Sequence, residues 1–267
     1  MGCLRCPRRC RGFNKARGDI NDNSFNELTD LYEALSAWPK RLAREEPVFR
    51  RLVAQAQARC VLGVACGTGQ HAAMFHRWGL SVEGADLSGN MIDQARKHFG
   101  EDPILRWTVR SFDMPIAAAE PFDVALCVGN SLALTPDLAA VNRTLGYLLA
   151  AVRPGGKMVI QVLNLWAIPQ GPCRWQTVRQ ATWHGSDALI TKGIPRTGAR
   201  GFVEFILALP AESTQSAATA ISFIGLESDD LARFANNQGA ARIECFGGYL
   251  MEPYVRETST DLLLITC

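Results

Sequence analysis

A glycine-rich segment and one aspartate are the residues of this sequence whose spacing most clearly suggests chemistry. The segment reads ACGTGQHA over residues 65–72, directly after an apolar run, and Asp86 ends the next apolar run. Glycines at such a bend allow a sharp turn from a strand into a helix and let a ligand approach the backbone. Free N–H groups and the positive dipole at the helix start favour an anionic group. A carboxylate at the end of the second strand can accept both hydroxyls of a ribose, so the pattern predicts a nucleotide site.

The glycine segment alone does not identify the nucleotide. Residues 67–72 also fit the dinucleotide pattern G-x-G-x-x-A, which would suit an NAD-dependent oxidoreductase. Such an enzyme needs a general acid beside a hydride-transfer site, and we find no such constellation. The simplest alternative is an ordinary strand-to-helix turn with a solvated Asp86. The four histidines show no ligand spacing, so no metal site is predicted.

The elements that position these residues follow from hydrophobic periodicity. Short apolar runs alternate with amphipathic stretches, which indicates parallel strands joined by helices that cover both faces of the sheet. The predicted fold class is therefore α/β. The predicted strands are 60–65, 80–85, 104–109, 122–128 and 158–163, and the helices between them are 70–78, 88–98 and 136–152.

Both flanks of this alternating region have their own pattern. Before it, one helix is predicted from Asn23 or Ser24 to Pro39, and a second helix follows with Pro47 near a restart or kink. After residue 164, apolar runs broken by Gly, Pro and Ser predict antiparallel strands. The chain then returns to a helix over 228–237 and two short strands over 241–246 and 261–266.

Composition excludes several classes of protein. The chain has 267 residues, of which 48% are hydrophobic, so it is neither disordered nor collagen-like. Six basic residues and no acidic residue lie in the first 17, and the remainder is mildly acidic, so we expect no nucleic-acid partner. No apolar run approaches the roughly 20 residues that span a bilayer, so no membrane partner is expected. Nine cysteines, an odd number without the spacing of secreted domains, favour reduced thiols in the cytoplasm.

Five segments follow one another in the order of a known family's motifs. They are VLGVACGTG at 61–69, DLSGNM at 86–91, SFDM at 111–114, FDVALC at 122–127 and RPGG at 153–156. Together they resemble the class I S-adenosylmethionine (SAM)-dependent methyltransferases, which implies SAM as cofactor and a Rossmann-like, doubly wound sheet of seven strands whose last strand is antiparallel. One position departs from the family, which usually has an acid that organises the methionine end of the cofactor where this chain has Gly63. The resemblance also implies cofactor contacts at Ala65, Gly67, Gly69, Asp86, Leu87, Asp113, Met114 and Val128.

The ACGTG form of the first motif and Gly129-Asn130-Ser131 are similar to the glycine/sarcosine N-methyltransferase group. This likeness implies that Asn130 holds an acceptor amine through its side-chain carbonyl while Ser131 supports the loop. The alternative is a turn in which these residues merely cap the next helix. Leu163 stands where the group has an arginine that grips the substrate carboxylate, so glycine itself is not expected as substrate. Three arginines of the predicted antiparallel strands could substitute, namely Arg174, Arg179 and Arg196.

Tyr32, Trp38 and Arg41 resemble the lid of the same group. That likeness makes Tyr32 a second candidate catalytic residue and makes Arg41 the partner of the methionine carboxylate. The alternative is that the two aromatic residues only pack and that Arg41 is a solvated charge. The implied domains are a basic disordered tail over 1–20, a helical lid over 21–58 and a methyltransferase domain over 59–267. The antiparallel insertion at about 165–225 lies on the substrate side of that domain.

The implied reaction is an in-line displacement that moves a methyl group from SAM to a small molecule. Alignment, desolvation and a neutral acceptor carry such a reaction, so no strong base is required. A hydroxyl acceptor would need more help with its proton, which favours an amine. Three alternatives remain: a glycine/sarcosine N-methyltransferase proper, a non-catalytic nucleotide-binding regulator and an NAD-dependent oxidoreductase. The sequence leaves the oligomeric state open.

Overall fold

The computed structural model describes residues 29, 33, 35–171, 173, 175–183, 186–209 and 216–266. The predicted tail over 1–20 and the candidate Tyr32 lie outside the described residues. The helices are α1 Trp38–Gln55, α2 Gln70–Arg77, α3 Gly89–Phe99, α4 Leu138–Ala150 and α5 Ser228–Asn237. The strands are β1 Cys60–Val64, β2 Ser81–Asp86, β3 Leu105–Val109, β4 Phe122–Cys127, β5 Val152–Leu163, β6 Trp175–Trp183, β7 Ser186–Gly193, β8 Arg196–Thr197, β9 Arg200–Ala208, β10 Ser216–Ile224, β11 Ile243–Phe246 and β12 Asp261–Thr266.

Seven strands form the central sheet in the order β11-β12-β5-β4-β1-β2-β3. Strands β1 to β5 pair in parallel, whereas β12 is antiparallel to both β5 and β11. The predicted Rossmann-like α/β fold with an antiparallel last strand is confirmed. Because the carboxyl ends of β1, β2 and β4 meet at one edge, the loops that carry the sequence motifs are brought together there.

A second, antiparallel sheet has the order β10-β9-β7-β6, with β8 paired to β9. Its strands lie in the segment where broken apolar runs predict antiparallel pairing. On β7, Ala188 and Ile190 are buried, and Ile194 just after the strand is buried as well, which is the alternation of a strand with one face on a core. That alternation places Lys192 on the same face as these buried residues.

Two proline positions in the N-terminal part have different outcomes. Pro39 lies in the first turn of α1, where a missing N–H removes no helical hydrogen bond, so it starts this helix. Pro47 lies inside α1, which continues through it to Gln55 without a break. The restart expected there is therefore absent, because packing of Val48, Phe49 and Leu52 into the core compensates for the missing bond.

The predicted boundary between α4 and β5 was wrong. The helix ends at Ala150 and β5 already begins at Val152, so the expected turn at residues 153–156 is part of a long, irregular strand. The pairing of β5 with β4 shifts register between Phe122 and Val124, and Gly155 has a φ of 74°. A bulge of this kind breaks the alternation on which the sequence-based boundary depends.

Asp123 ties the amino ends of β1, β4 and β5 together, far from the edge that carries the motifs. Its Oδ2 accepts hydrogen bonds from the backbone N–H groups of Arg59 (2.6 Å) and Cys60 (2.9 Å), and its Oδ1 pairs with Arg153. Burial opposes ionisation of Asp123, but these bonds outweigh it and lower its pKa to about 2. The carboxylate therefore stabilises the fold above the ordinary aspartate pKa of about 3.9, and this contribution is lost as the pH falls through about 2.

Replacing Asp123 with asparagine is expected to lower the free energy of unfolding at pH 7 by about 2–4 kcal/mol, because charge-assisted bonds are lost and Arg153 is left unpaired. The difference from the wild type should shrink as the pH falls from 4 towards 2. Urea unfolding across this range measures it. Asp93→Asn is the control, because the Asp93 side chain is 77% exposed. Equal losses in the two variants at pH 7 would contradict the assignment.

Candidate active site

The glycine loop and Asp86 meet at the carboxyl edge of the sheet. Asp86 Oδ2 accepts a hydrogen bond from the N–H of Gly67 (2.8 Å), and its Oδ1 accepts one from the N–H of Ser88 (2.9 Å). The backbone of the loop is left-handed at three of five positions, Ala65 (φ 47°), Gly67 (56°) and Gly69 (84°). Burial raises the pKa of Asp86, while the bonds from Ser88 and Gly67 oppose this rise. A left-handed alanine is a local strain of the kind found at ligand sites.

Two backbone amides of the glycine loop, just before the start of α2, are bonded within the protein. The N–H of Gly67 is taken by Asp86, and the N–H of Gly69 donates to the carbonyl of Cys66 (3.1 Å). A dinucleotide fold places its pyrophosphate against such amides. At Gly67 and Gly69, however, these donors are already engaged by the chain itself.

Gly69 is also required by packing inside the protein. A Cβ on Gly69 would lie 2.4 Å from the ring of Trp107, and one on Gly84 would lie 2.6 Å from the same ring. Trp107 is buried between these glycines, with its indole N–H bonded to the carbonyl of Gly100 (2.6 Å). Close helix–strand packing therefore explains Gly69 independently of a ligand, and its contact with the cofactor stays a prediction.

The ends of β2 and β3 present the residues predicted to hold the adenine. Leu87 and Met114 are large apolar side chains that are 36% and 56% exposed. Asp113 is half-buried and accepts a hydrogen bond from the hydroxyl of Ser111. Exposed apolar side chains next to a cleft leave a surface that a planar apolar group could cover. Their contact with a cofactor stays a prediction.

The loop after β4 is held by its neighbours at the same edge. Ser131 donates its hydroxyl to the carbonyl of Val128 (3.1 Å), which agrees with its expected role of supporting the loop. Asn130 is left-handed (φ 68°), and its Oδ1 already accepts a hydrogen bond from the N–H of Leu163 (2.9 Å). The side-chain carbonyl assigned to the acceptor amine therefore has a structural partner. Asn130 makes no side-chain cap to the 3-10 turn Ser131–Leu134.

Sequence reasoning missed two residues that fix this loop. Gln161 Oε1 accepts from the N–H of Gly129 (2.7 Å), and its Nε2 donates to Asp261 Oδ1 (2.7 Å). This chain of bonds joins β4, β5 and β12 at the motif edge. Burial raises the pKa of Asp261, and the bond from Gln161 opposes the rise. The only available signal was that both residues lie in or at the end of predicted strands.

Helix α1 brings Arg41 and Trp38 to one cleft with residues of β1, α2 and the loop after β4. The Arg41 guanidinium lies over the Trp38 ring, 4.8 Å from its centroid, and only 19% of the Arg41 side chain is exposed. The alternative that Arg41 is a solvated surface charge is therefore contradicted. Val128 lines the same cleft. The lining residues that close its floor and walls are Val61, Gly63, Val64, Ala65, Cys66, His71, Ala72, Phe75, Val82 and Leu126.

The arginines expected to replace the missing substrate arginine have separate outcomes. Arg196 donates to the carbonyls of Trp166 (3.1 Å) and Ile168 (3.1 Å) and lies over the Trp166 ring. It is therefore a structural residue, and the expectation that it could bind substrate was wrong. Arg179 is half-buried on β6, and Arg174 lies outside the described residues.

Lys192 was missed by the sequence analysis. It lies half-buried on the core-facing side of β7, and burial together with the charge of Arg41 lowers its pKa. Within the described part of the chain, no hydrogen bond or ion pair is recorded for its amine. A cation without a protein partner at the border between the two sheets is a candidate contact for a ligand.

Neither a metal site nor a membrane-spanning helix is found in the described ranges. These residues contain no group of three or more His, Cys, Asp or Glu side chains that could hold a metal ion. No helix among them is both long enough and apolar enough to cross a bilayer.

Comparison with known proteins finds similarity in the segment that forms this edge of the sheet. Residues 61–156 match the methyltransferase domain family. The dTDP-4-amino-2,3,4,6-tetradeoxy-D-glucose N,N-dimethyltransferase of Saccharopolyspora spinosa is 33% identical over 140 residues, which are 49% of this chain and 53% of that protein. Glycine N-methyltransferase of Rattus norvegicus is 33% identical over 117 residues, 39% of this chain and 40% of that protein. The chain thus spans about half or less of the length of these relatives.

Solved structures extend the similarity of fold to nearly the whole chain. The CcbJ methyltransferase of Streptomyces caelestis superposes with a TM-score of 0.74 at 17% identity, over 92% of this chain and 98% of that one. The sugar N-methyltransferase KedS8 of Streptoalloteichus sp. gives 0.73 at 19% identity, over 97% and 98%. Residues 61–156 are thus similar to a methyltransferase domain, and the solved structures show that nearly the whole chain shares the fold of known methyltransferases.

Proposed function

We propose that this protein binds SAM in the cleft between α1 and the glycine loop and transfers its methyl group to a small-molecule amine. The observation that carries the proposal is the bond between Asp86 and Gly67, which joins the ends of β2 and β1. It holds a carboxylate beside the glycine bend, where the family resemblance implies the ribose of the cofactor. The two relatives described above are named as N-methyltransferases of an amino sugar and of glycine.

The proposed contacts divide the cleft into two ends. Asp86 receives the ribose hydroxyls, with Leu87, Asp113 and Met114 around the adenine. Ala65, Gly67 and Val128 face the methionine part, and Arg41 binds its carboxylate. We retain Gly69 as a backbone contact and Tyr32 as a residue of the acceptor side. These assignments depend on the family resemblance and, for the residues that the structure describes, on their positions in the fold; Tyr32 depends on the resemblance alone.

When bound, SAM supplies a methyl group that is already activated by a positively charged sulfur. The protein then needs only to align a neutral amine and to exclude water. The amine lone pair forms the new C–N bond as the C–S bond breaks towards sulfur, S-adenosylhomocysteine leaves, and the surplus amine proton passes to solvent. Asn130 lies at the exit of β4, where its amide can orient the amine.

The acceptor is proposed to lie between the loop after β4 and the second sheet. Leu163 replaces the arginine that would grip a glycine carboxylate, and Arg196, one of the three possible substitutes, is held by backbone carbonyls. Lys192 on β7, which has no partner among the described residues and lies near enough to Arg41 for its charge to lower the Lys192 pKa, is an alternative contact. We therefore favour an acceptor other than glycine, with residues 165–225 forming its cover. We further propose a cytoplasmic location, which the reduced thiols expected from the sequence support, and we expect neither nucleic acid nor a membrane as partner.

Isothermal titration calorimetry of the full chain with SAM, S-adenosylhomocysteine and NAD tests the proposal. We expect binding of the first two in the micromolar range and none of NAD. Release of S-adenosylhomocysteine with a panel of amino sugars, amino acids and simple amines then identifies turnover. Binding of NAD without SAM would refute the proposal, and binding of SAM with no turnover on any amine would support the non-catalytic regulator instead.

A further inference from the structure

Glu45 is a buried carboxylate that none of the family motifs includes. It lies on α1 with 1% of its side chain exposed, and three basic side chains converge on it. Its Oε1 accepts from Arg41 Nε (3.0 Å) and Arg44 (3.2 Å), and its Oε2 lies 2.6 Å from His71 Nε2. Two of these partners, Arg41 and His71, line the cleft. A carboxylate this deeply buried is retained only when it is fully bonded, as it is here.

The charge states of the cluster follow from its burial. Burial opposes ionisation of Glu45, but its bond to His71 and the charge of Arg41 outweigh it, so its pKa is lowered. Burial lowers the pKa of His71, which the bond to Glu45 only partly offsets. At neutral pH, a neutral His71 therefore donates its Nε2–H to an ionised Glu45. This assignment of the proton fixes the orientation of the ring.

Glu45 also fixes the direction in which Arg41 points. The Nε of Arg41 donates a hydrogen bond to Glu45, and the Arg41 guanidinium lies over the Trp38 ring. One terminal nitrogen lies 3.3 Å from the position that a Cβ of Gly129 would occupy, at the end of β4. Gly63 also lines this cleft and contributes no side chain to it. A Cβ at Gly63 would fit without a clash, because its nearest neighbours would lie 3.9 and 4.0 Å away. The orientation of the cleft's arginine thus depends on a residue of α1.

We propose that Glu45 is a positioning residue for the amino-acid end of the cofactor, acting through Arg41 and His71. This inference rests on the proposed function. The pair of arginines on one carboxylate leaves a net positive charge that suits the methionine carboxylate, and the fixed Nε leaves the terminal nitrogens directed to the cleft. Loss of the Glu45 charge frees the Arg41 side chain to adopt other rotamers without affecting the adenosine end.

Two ligands separate this role from a merely structural one. S-Adenosylhomocysteine carries the amino-acid end, whereas 5′-methylthioadenosine has the same nucleoside and thioether but lacks it. We expect Glu45→Gln to weaken the affinity for S-adenosylhomocysteine at least tenfold and to change the affinity for 5′-methylthioadenosine less than twofold. Glu46→Gln is the matched control, because Glu46 is the next residue of α1 and forms an exposed pair with Arg50. It should change neither affinity.

A double-variant cycle tests whether Glu45 acts through Arg41. In an Arg41→Met background, the further change Glu45→Gln should lower the affinity for S-adenosylhomocysteine less than threefold. If Glu45→Gln does not fold, Glu45→Asp, which keeps the charge but shortens the reach, should show the same selectivity for the longer ligand. Equal losses of both ligands, or no loss of either, would overturn the inference. If the wild type binds neither ligand, the proposed function fails instead.

Discussion

Alanine at position 86 is expected to reduce the affinity for SAM about 100-fold or more. Its carboxylate is the proposed acceptor of two ribose hydroxyls, and a hydrogen bond to a charged group contributes about 1.5–3 kcal/mol. The variant loses both of these bonds, and the bonds of Asp86 to the N–H groups of Gly67 and Ser88 that shape the loop are lost as well. Because each 1.4 kcal/mol is a factor of about ten, the two losses together reach this range. Calorimetric titration of the folded variant measures it.

Two variants sharpen this prediction. Asp86→Asn keeps one acceptor oxygen and should retain affinity between those of the wild type and Asp86→Ala. Asp93→Ala, on the exposed side of α3, should bind SAM as the wild type does. If a folded Asp86→Ala protein bound SAM within fivefold of the wild type, the ribose would have to lie elsewhere.

Sequence periodicity located the elements well because most of them obey one simple pattern. Strands buried on both faces read as short apolar runs, and α5 and β12 were predicted at their observed bounds. The error at β5 has a physical cause, since the bulge beside Phe122 and the left-handed Gly155 interrupt the pattern. The proximity of Gly67 and Asp86 could also be predicted, because parallel topology alone brings the ends of β1 and β2 together.

The partners of the candidate residues could not be predicted in this way. His71 and Glu45 are 26 positions apart, and Gln161 and Asp261 are 100 apart, so no local periodicity links them. Their pairing depends on how α1 packs on α2 and how β12 enters the sheet. The sequence shows an available carboxylate or amide, but only the fold shows what occupies it.

The partners of the arginine side chains could not be predicted from the sequence either. Both Arg41 and Arg196 were candidates to bind a carboxylate, yet Arg196 holds backbone carbonyls after β5 while Arg41 reaches the cleft. A guanidinium has several donors and a long stem, so its partner is decided by which acceptors lie within its reach. The backbone amides of Gly67 and Gly69 show the same effect, because Asp86 and the carbonyl of Cys66 accept their hydrogen bonds.

Gly69→Ala is expected to lower the free energy of unfolding by about 2–5 kcal/mol, the second large effect. About 1–2 kcal/mol comes from placing a Cβ at a φ of 84°. A further 1–3 kcal/mol comes from forcing it against the Trp107 ring, which would lie 2.4 Å away. Urea unfolding of the variant measures the total.

Two further glycines separate these contributions. Gly79 has a nearly identical φ of 82° with nothing within 4 Å of its missing Cβ, so Gly79→Ala should cost only the conformational part. Gly84→Ala, where no left-handed angle is involved but a Cβ would lie 2.6 Å from the same ring, should cost only the packing part. In a Trp107→Leu background the cost of Gly69→Ala should fall towards that of Gly79→Ala. If it did not fall, the loop's demand for glycine would come from its own backbone, and Trp107 would have no part in shaping the bend that Asp86 holds.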